Sequence, residues 1–323
     1  MVNNTRKIMK NQEILENEFK FLEKPTKKKL KMQDFLEKIK DKVSEKMKLS
    51  IFECGDIIGF LKSKGEKIRL HGGRFCNNRF CPMCSWRKAR KDGYLLLLLF
   101  SIIQKVMKKE LIFLTLTAPN VIGSELKKEI ENFNKSFKRF SETKDFKSIC
   151  KGYIRKLEVT YNEKENTYHP HFHVVIAVNK SYFTDKTYIS RKNWLEMWQV
   201  AKRDKSITQV DVRKAKLDDM KGVYEMATYS AKASDYLVSN EVFDIFYGAL
   251  KNKKIITFNG IFKEILINLK TTEKYKNLLE AENEVYDKQL WFTWSEKNYK
   301  LFRVDDIPET DLQKIYVDEI EID

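Results

Sequence analysis

Three of the protein's four histidines lie within five residues, as His169, His171 and His173 in the string YHPHFHVVI. If this string forms a strand, alternation puts His171 and His173 on one face. Two imidazoles one strand repeat apart are natural ligands for a divalent cation. The candidates for a third ligand are Glu158, on the polar face of the preceding predicted strand, and His169. The pattern predicts a divalent metal site, against the alternative of a solvated polar face on a hairpin.

Four cysteines form a second group. Cys81 and Cys84 flank Pro-Met in a tight knuckle, Cys76 lies four intervening residues earlier, and Cys54 lies a further 21 intervening residues upstream. This spacing is typical of a closed, tetrahedral zinc site with a structural role. In an intracellular protein zinc binding is favoured over disulfides. His71 is a less favoured alternative to Cys54 as the fourth ligand.

A third group lies in the string EMATYSAKASDYL, within a helix predicted over residues 217–238. Glu225 and Tyr229 are four residues apart and Lys232 follows three later, so all three share a helix face. The unperturbed pKa of tyrosine is about 10, so its phenol needs an activated electrophile, a base or a nearby cation to act as a nucleophile. Taken alone, the pattern is also typical of a solvated helix face.

The charge of the chain points to a polyanionic partner. The net charge is +16, and because residues 304–323 carry eight acids and one lysine, residues 1–303 carry +23. Such a charge favours nucleic-acid binding, although lysine-rich chains also arise from AT-biased coding. Basic residues around the cysteine knuckle are suited to phosphate contacts. Those assigned to this role are Arg74, Arg79, Arg87, Lys88 and Arg90.

The segments that position these groups change character along the chain. Strands are predicted over residues 111–117, 153–161, 171–178 and 208–212, and helices over residues 85–108, 124–148 and 217–238. Apolar residues at a spacing of four predict one amphipathic helix through Phe35, Ile39, Val43 and Met47. Residues 54–84 are too irregular for long elements, and the chain beyond residue 240 is expected to be helical.

The composition excludes pervasive disorder and a membrane-embedded fold, since 42% of the residues are hydrophobic and 33% are charged. The longest apolar run, residues 94–103, is far shorter than the about 20 residues of a spanning helix. The lysine-rich N-terminus has no signal-peptide pattern. We therefore expect a soluble, intracellular protein.

Together these strings resemble the rolling-circle replication initiator (Rep) proteins of small Gram-positive plasmids, within the HUH endonuclease superfamily. FLTLTAPN, HPHFHVVI and EMATYSAKASDY occur in the family's order and resemble its first motif, its metal-binding histidine motif and its catalytic tyrosine motif. RLHGGRFCNNRFCPMCSWRKA resembles the branch that uses one tyrosine and one glutamate. The resemblance covers about residues 50–240. Thr228 is a departure, since many relatives have a basic residue there.

The resemblance implies a metal-dependent endonuclease that nicks single-stranded or hairpin origin DNA of a plasmid. His171 and His173 would hold Mg²⁺ or Mn²⁺, and Tyr229 would attack the scissile phosphate, leaving a 5′-phosphotyrosine and a priming 3′-OH. Glu225 would activate the water that ends a round, and Lys232 would stabilise the phosphate or the phenolate. Zn²⁺ would be structural. The implied partners are a host helicase and polymerase in the bacterial cytoplasm, with a homodimer left open and no membrane.

The implied fold is α+β, with a central antiparallel sheet and helices on one face (the HUH endonuclease fold), a small zinc-binding module and helical flanks. The predicted division is a lysine-rich helical segment over residues 1–50, the zinc-binding module and following helix over 51–108, the HUH endonuclease domain over 109–240, and a helical C-terminal region with the acidic tail over 241–323. Two alternatives remain open. One is a single-tyrosine HUH transposase or relaxase, and the other is a non-catalytic zinc-containing DNA-binding regulator.

Overall fold

The computed structural model describes residues 19–215, 226, 231–269 and 286–307. The chain divides into two compact units. The cysteine unit comprises Met1–Arg87 and Glu284–Tyr316, and the histidine unit comprises Lys88–Asn283 and Val317–Asp323. Residues 286–307 thus share a unit with the cysteine-rich segment, a pairing that the sequence did not suggest.

The strands of the described residues are, in chain order, β1 (Ile57–Ser63), β2 (Ile68–Gly73), β3 (Glu110–Leu116), β4 (Gly152–Asn162), β5 (Thr167–Val178), β6 (Val210–Ala215), β7 (Ile256–Gly260), β8 (Tyr286–Ser295) and β9 (Asn298–Asp306). The α-helices are α1 (Glu23–Lys29), α2 (Met32–Ile39), α3 (Glu45–Phe52), α4 (Pro82–Ser101), α5 (Leu126–Ser141), α6 (Lys144–Ile149), α7 (Arg191–Lys202), α8 (Ala233–Tyr236), α9 (Asn240–Leu250) and α10 (Ile261–Asn268). The predicted strands and the helices around residues 85–108 and 124–148 are therefore confirmed with shifted ends.

The cysteine unit contains a four-stranded antiparallel sheet in the order β2-β1-β8-β9. Within residues 54–84, where no long elements were predicted, the structure has two short strands, β1 and β2. Beyond residue 240 the predicted helical region is confirmed for α9 and α10 but is wrong for β7, β8 and β9. The turn between β8 and β9 consists of Glu296 and Lys297, both with positive φ. Such two-residue turns normally contain Asn or Gly, so this hairpin had no recognisable turn signal.

The histidine unit contains a five-stranded antiparallel sheet in the order β6-β3-β5-β4-β7. The strand that carries the histidines, β5, is central and lies between β3 and β4. In its register Glu158 is opposite His171, and both Lys156 and Thr115 are opposite His173. Residues opposite each other in an antiparallel pair share a face, so these polar side chains form one group on one face of the sheet.

Helices cover both faces of this sheet, so the prediction of helices on one face is wrong. On one face the ring of Phe172 contacts Phe133 and Phe137 of α5. On the opposite face Phe113 and Val175 join a hydrophobic cluster with residues of α4 and α10. Val175 is two residues after His173 and therefore lies on the same face of the sheet as His171 and His173, the histidine face. That face is apolar at one end, where helices cover it, and polar at the other.

The predicted continuous helix through Phe35 and Met47 is interrupted. α2 ends at Ile39, Val43 has an extended backbone, and α3 begins after Ser44, whose hydroxyl accepts a hydrogen bond from the backbone N–H of Met47. Serine is a preferred residue at a helix N-terminus because its side chain satisfies a free N–H group there. The spacing of four therefore continues across two helices rather than along one.

No helix within the described residues is both long enough and apolar enough to cross a membrane.

Phe137→Ala tests the packing of α5 on the sheet. Phe137 is 2% exposed and contacts the rings of Phe140, Phe146, Tyr153 and Phe172. Removing a buried phenyl ring leaves a cavity, so we expect the free energy of unfolding to fall by about 3–5 kcal/mol, measured by urea denaturation. Val200→Ala on α7, at a position 76% exposed, is the control. An equally small change in both variants would contradict this packing.

Candidate functional site

Three ligand atoms converge on the polar end of the histidine face. Nε2 of His173 lies 3.0 Å from Oε2 of Glu158 and 3.1 Å from Nε2 of His171. The same carboxylate oxygen lies 3.6 Å from Nε2 of His171. All three side chains are buried, and together they could hold one metal ion. β4 supplies the carboxylate and β5 supplies both imidazoles, so the strand pairing alone assembles the group.

The outer ring nitrogens have oxygen partners. Nδ1 of His171 lies 3.3 Å from the carbonyl oxygen of His169, and Nδ1 of His173 lies 3.4 Å from Oγ1 of Thr115. Without an ion, a proton on Nε2 lets an imidazole donate to Glu158. In the tautomer that would bind a metal, the proton is on Nδ1, so each imidazole would donate to one of these oxygens and direct the lone pair of Nε2 into the group. Metal-binding histidines are usually held in this way, because the second hydrogen bond fixes both tautomer and ring orientation.

The charges around the group favour the protonation states that bind metal. Burial opposes a charge on Glu158, but hydrogen bonds from His171 and His173 and the nearby charge of Lys156 hold the pKa of the carboxyl group well below its usual value. Burial lowers the pKa of His173, and this effect outweighs the hydrogen bond with Glu158, which acts in the opposite direction. Glu158 is thus ionised and His173 neutral near pH 7, as metal coordination requires.

The spacing of the ligand atoms fits a hard divalent ion. An octahedral ion with bonds of about 2.1 Å separates neighbouring ligand atoms by about 3 Å. The Nε2 of His173 meets this spacing with both Glu158 and His171, at 3.0 and 3.1 Å. Two imidazoles favour Mn²⁺ over Mg²⁺, which prefers oxygen ligands, and a site of three ligand atoms leaves coordination positions for water or phosphate oxygens.

The structure brings Glu158, and not His169, into the group of ligand atoms. The ring of His169 lies beside that of His171, with centroids 5.2 Å apart and a tilt of 30°. Burial and the charge of His171 lower the pKa of His169. Of the two candidates that the sequence left open as third ligand, the geometry therefore favours Glu158.

Glu225 and Tyr229 lie outside the described residues, as does most of the helix predicted over residues 217–238. Two described residues bracket the tyrosine. Met226 is 1% exposed and belongs to the same hydrophobic cluster as Phe113 and Val175, and Ala231 is also 1% exposed. The segment with the tyrosine is thus flanked by two residues buried in the histidine unit.

Lys232 immediately precedes α8, a short helix that packs against β4. The carboxylate of Asp235 in α8 accepts hydrogen bonds from the Ser234 hydroxyl, at 2.9 Å, and from the backbone N–H of Tyr161. Burial raises the pKa of Asp235, and the negative charge of Glu158 adds to this effect. The chain after Lys232 is therefore fixed to the strand that carries Glu158.

The four predicted cysteine sulfurs form a closed group in the cysteine unit. Sγ of Cys54 lies 3.5 Å from that of Cys81 and 3.6 Å from that of Cys84, and Sγ of Cys76 lies 3.6 Å from that of Cys84. Four sulfurs around an ion at about 2.3 Å are about 3.8 Å apart, whereas a disulfide needs about 2.05 Å. The thiols are buried and free, so the group fits a tetrahedral metal site.

Backbone amides already point at two of these sulfurs. The N–H of Cys76 donates to Sγ of Cys54, at 3.4 Å, and the N–H of Cys84 donates to Sγ of Cys81, at 3.5 Å. Hydrogen bonds from the other three thiols lower the pKa of Cys76. His71 is not a member of this group, and its ring instead contacts Trp291, with centroids 6.5 Å apart.

The basic residues assigned to DNA binding lie at the surface with specific neighbours. The guanidinium group of Arg87 donates to Asn77 at 2.7 Å and lies 4.7 Å from the ring centre of Phe75. Arg74 forms an ion pair with Glu53 at 3.5 Å. In the histidine unit Lys88 pairs with Asp92 at 3.5 Å. Arg90 is exposed, and Arg79 is half-buried.

Two residues at the histidine group were missed by the sequence analysis. Lys156 is 2% exposed and lies opposite His173. Strand alternation placed it on the polar face, but nothing in the sequence indicated that a lysine there would be buried. Asp235 is in the quoted string EMATYSAKASDYL, but its contact with Tyr161 depends on how α8 packs on β4. Only the folded structure could reveal the burial of Lys156 and the contact of Asp235 with Tyr161.

The sequence of the chain is similar to those of known proteins. The profile of the family described as "Replication protein" matches residues 67–302. Curated relatives include a "Protein rep" of Staphylococcus aureus, 48% identical over 220 residues, which are 68% of this chain and 96% of the relative. Another "Protein rep", from Streptococcus pneumoniae serotype 2 strain D39, is 36% identical over 66% of this chain and 68% of its own length. A third, from a Bacillus species, is 33% identical over 72% of this chain and 81% of its own length.

No solved structure gives a significant match. The profile match covers most of the chain and includes the whole histidine group and three of the four cysteines, since Cys54 precedes the matched residues. The chain therefore belongs to the replication protein (Rep) family.

Proposed function

We propose that the protein initiates rolling-circle replication of a plasmid by nicking one strand of its origin DNA through a phosphotyrosine intermediate. Membership of the replication protein family supports the replication role. The observation that carries the chemistry is the buried group of Glu158, His171 and His173, whose spacing fits a divalent ion.

Glu158, His171 and His173 would hold Mg²⁺ or Mn²⁺. A bound ion would polarise the scissile phosphate and stabilise the charge that develops on it. Oη of Tyr229 attacks the phosphorus, and the bond between phosphorus and the 3′ oxygen breaks. The phenol loses its proton and the 3′ oxygen gains one, which leaves a 5′-phosphotyrosine and a free 3′-OH that can prime synthesis.

Chain length supports the placement of the nucleophile. Tyr229 follows Met226 by three residues and precedes Ala231 by two in the sequence, and a chain extends by at most about 3.6 Å per residue. Met226 belongs to the hydrophobic cluster that also contains Val175 of the histidine face, and Lys232 directly precedes the helix that packs on β4. The proposal places Tyr229 between these two described segments and has it reach the metal-ligand group, with Lys232 stabilising the phosphate or phenolate.

Glu225 would end the round. A carboxylate can take a proton from water, and the resulting hydroxide would attack the phosphorus of the phosphotyrosine. The bond from phosphorus to Oη of Tyr229 would break, the phenolate would regain a proton, and the strand would leave with a 5′-phosphate. Glu225 directly precedes Met226, which is buried on the histidine face. One subunit would then both begin and finish a round.

The rest of the chain would hold the DNA. Residues 1–303 carry a net charge of +23, which suits a phosphate backbone. A zinc ion held by the four cysteines would make the cysteine unit a rigid support for DNA contacts. The residues proposed for these contacts are Arg74, Arg79, Arg87, Lys88 and Arg90. Extension from the nick would require a host helicase and polymerase.

Tyr229→Phe tests the nucleophile. With single-stranded origin DNA and Mn²⁺, the native protein should form a covalent DNA adduct that is visible as a shifted band on a denaturing gel. Tyr229→Phe should form none, because the attacking oxygen is missing. Tyr188→Phe, at an exposed tyrosine, is the matched control and should form the adduct normally. An unchanged yield in Tyr229→Phe would refute the assignment.

Glu225→Gln separates nicking from release. Adduct formation should stay within about threefold of the native rate, while release of the strand should slow by about 100-fold, since a general base typically contributes that much or more. Both rates are measured by quenched-flow gel assays, with Glu196→Gln on α7 as the control. Equal losses in both steps would contradict a separate role for Glu225. Transfer of the bound strand to a second DNA, rather than release, would indicate a transposase.

Glu158→Gln and His169→Gln distinguish the third metal ligand. Loss of a coordinating carboxylate should raise the Mn²⁺ concentration for half-maximal adduct formation by at least about tenfold in Glu158→Gln. His169→Gln should retain the native Mn²⁺ dependence, because its ring is outside the ligand group. The reverse result would show that His169 completes the site.

A further inference from the structure

The turn over residues 52–56 carries the cysteine that is most distant in sequence from the other three. Lys29, at the end of α1, donates from Nζ to the carbonyl oxygen of Cys54 at 2.9 Å and to that of Phe52 at 3.3 Å. The same nitrogen lies 2.6 Å from Oδ1 of Asp56. The Lys29 side chain thus binds the turn at its first residue, Phe52, its middle residue, Cys54, and its last residue, Asp56.

Two further contacts hold the same turn. Oη of Tyr299 on β9 donates to the carbonyl oxygen of Gly55 at 2.7 Å, and the N–H of Gly55 donates to the carbonyl oxygen of Arg74 at 2.7 Å. Gly55 has φ of +81°, and a Cβ there would lie 2.7 Å from Met83. The turn is therefore held rigidly, with Sγ of Cys54 directed at Cys81 and Cys84.

Lys29 brings a positive charge to the turn, whereas the contacts of Tyr299 and of the Gly55 amide are neutral. Four thiolates and one Zn²⁺ have a net charge of −2, and a buried net charge is costly unless an opposite charge lies nearby. The Lys29 side chain is 6% exposed, whereas that of Asp56 is 33% exposed. Water therefore screens the aspartate more than the ammonium group, which leaves positive charge next to the Cys54 turn.

We propose that Lys29 is a positioning residue for the proposed zinc site: it fixes the Cys54 turn and supplies buried positive charge that offsets part of the net negative charge of the zinc and its four thiolates. The proposal rests on the zinc assignment. It gives the lysine-rich N-terminal segment, whose role the sequence did not reveal, a specific function in metal retention.

The test measures how fast the full-length, zinc-loaded protein gives up zinc to the chelator 4-(2-pyridylazo)resorcinol. Lys29→Met keeps the length of the side chain but removes the charge, and we expect zinc release to be about 10–100-fold faster, as when a group that orients a metal ligand is lost. Lys29→Arg should restore slow release. Lys27→Met, on the same helix with a side chain 75% exposed, is the matched control.

Two more measurements separate positioning from general destabilisation. Alkylation followed by peptide mapping should show Cys54 modified before Cys76, Cys81 and Cys84 in Lys29→Met. Tyr299→Phe removes a neutral contact with the same turn, and it should release zinc more slowly than Lys29→Met does. If Lys29→Met does not fold, Lys29→Arg decides the question. Zinc release from Lys29→Arg at the native rate supports the proposal, and release from Lys29→Arg that is faster than release from Tyr299→Phe overturns it.

Native release from Lys29→Met, equal release from Lys29→Met and Tyr299→Phe, or equal alkylation of all four cysteines would overturn the proposal. Native protein without zinc would overturn it as well. Such a result would leave the nicking assignment standing, because that chemistry depends on the histidine unit and is measured separately by adduct formation.

Discussion

The antiparallel pairing of β4 with β5 is the constraint on which the candidate active site depends. It places Glu158 opposite His171 and Lys156 opposite His173. A shift of one residue in this register would move the carboxylate to the opposite face of the sheet, among aromatic side chains. The register is itself fixed by burial, because Leu157 and Val159 must remain on the face that packs against α5. The hydrophobic core thus determines the ligand geometry.

The histidine face serves two purposes along its length. At one end Phe113 and Val175 pack against α4 and α10, and at the other end the imidazoles and Glu158 form the ligand group. Met226 joins the apolar end, so the segment with the proposed nucleophile begins on the same face that carries the ligands. A buried site of this kind excludes water from Glu158 and strengthens its interactions with nearby charges. The fold therefore supplies both the position and the electrostatic environment of the proposed chemistry.

Much of this site could be predicted from the sequence because it depends on local periodicity. Alternation placed His171 and His173 together and left Glu158 and His169 as candidates for the third ligand, and the cysteine spacing identified the four sulfurs that converge. Contacts between distant segments could not be predicted in this way. The hairpin of β8 and β9 has a turn of Glu296 and Lys297 without Asn or Gly, and its pairing with β1 spans more than 200 residues of sequence. The second layer of helices and the buried position of Lys156 likewise depend on tertiary packing.

Electron paramagnetic resonance of the protein with one bound Mn²⁺ tests the ligand geometry most directly. If β4 and β5 hold the ion as described, electron spin-echo spectra will show coupling to two imidazole nitrogens, and His171→Ala and His173→Ala will each remove one of them. A spectrum without nitrogen coupling, or coupling that survives in both variants, would contradict the metal site on which the proposed nicking chemistry depends.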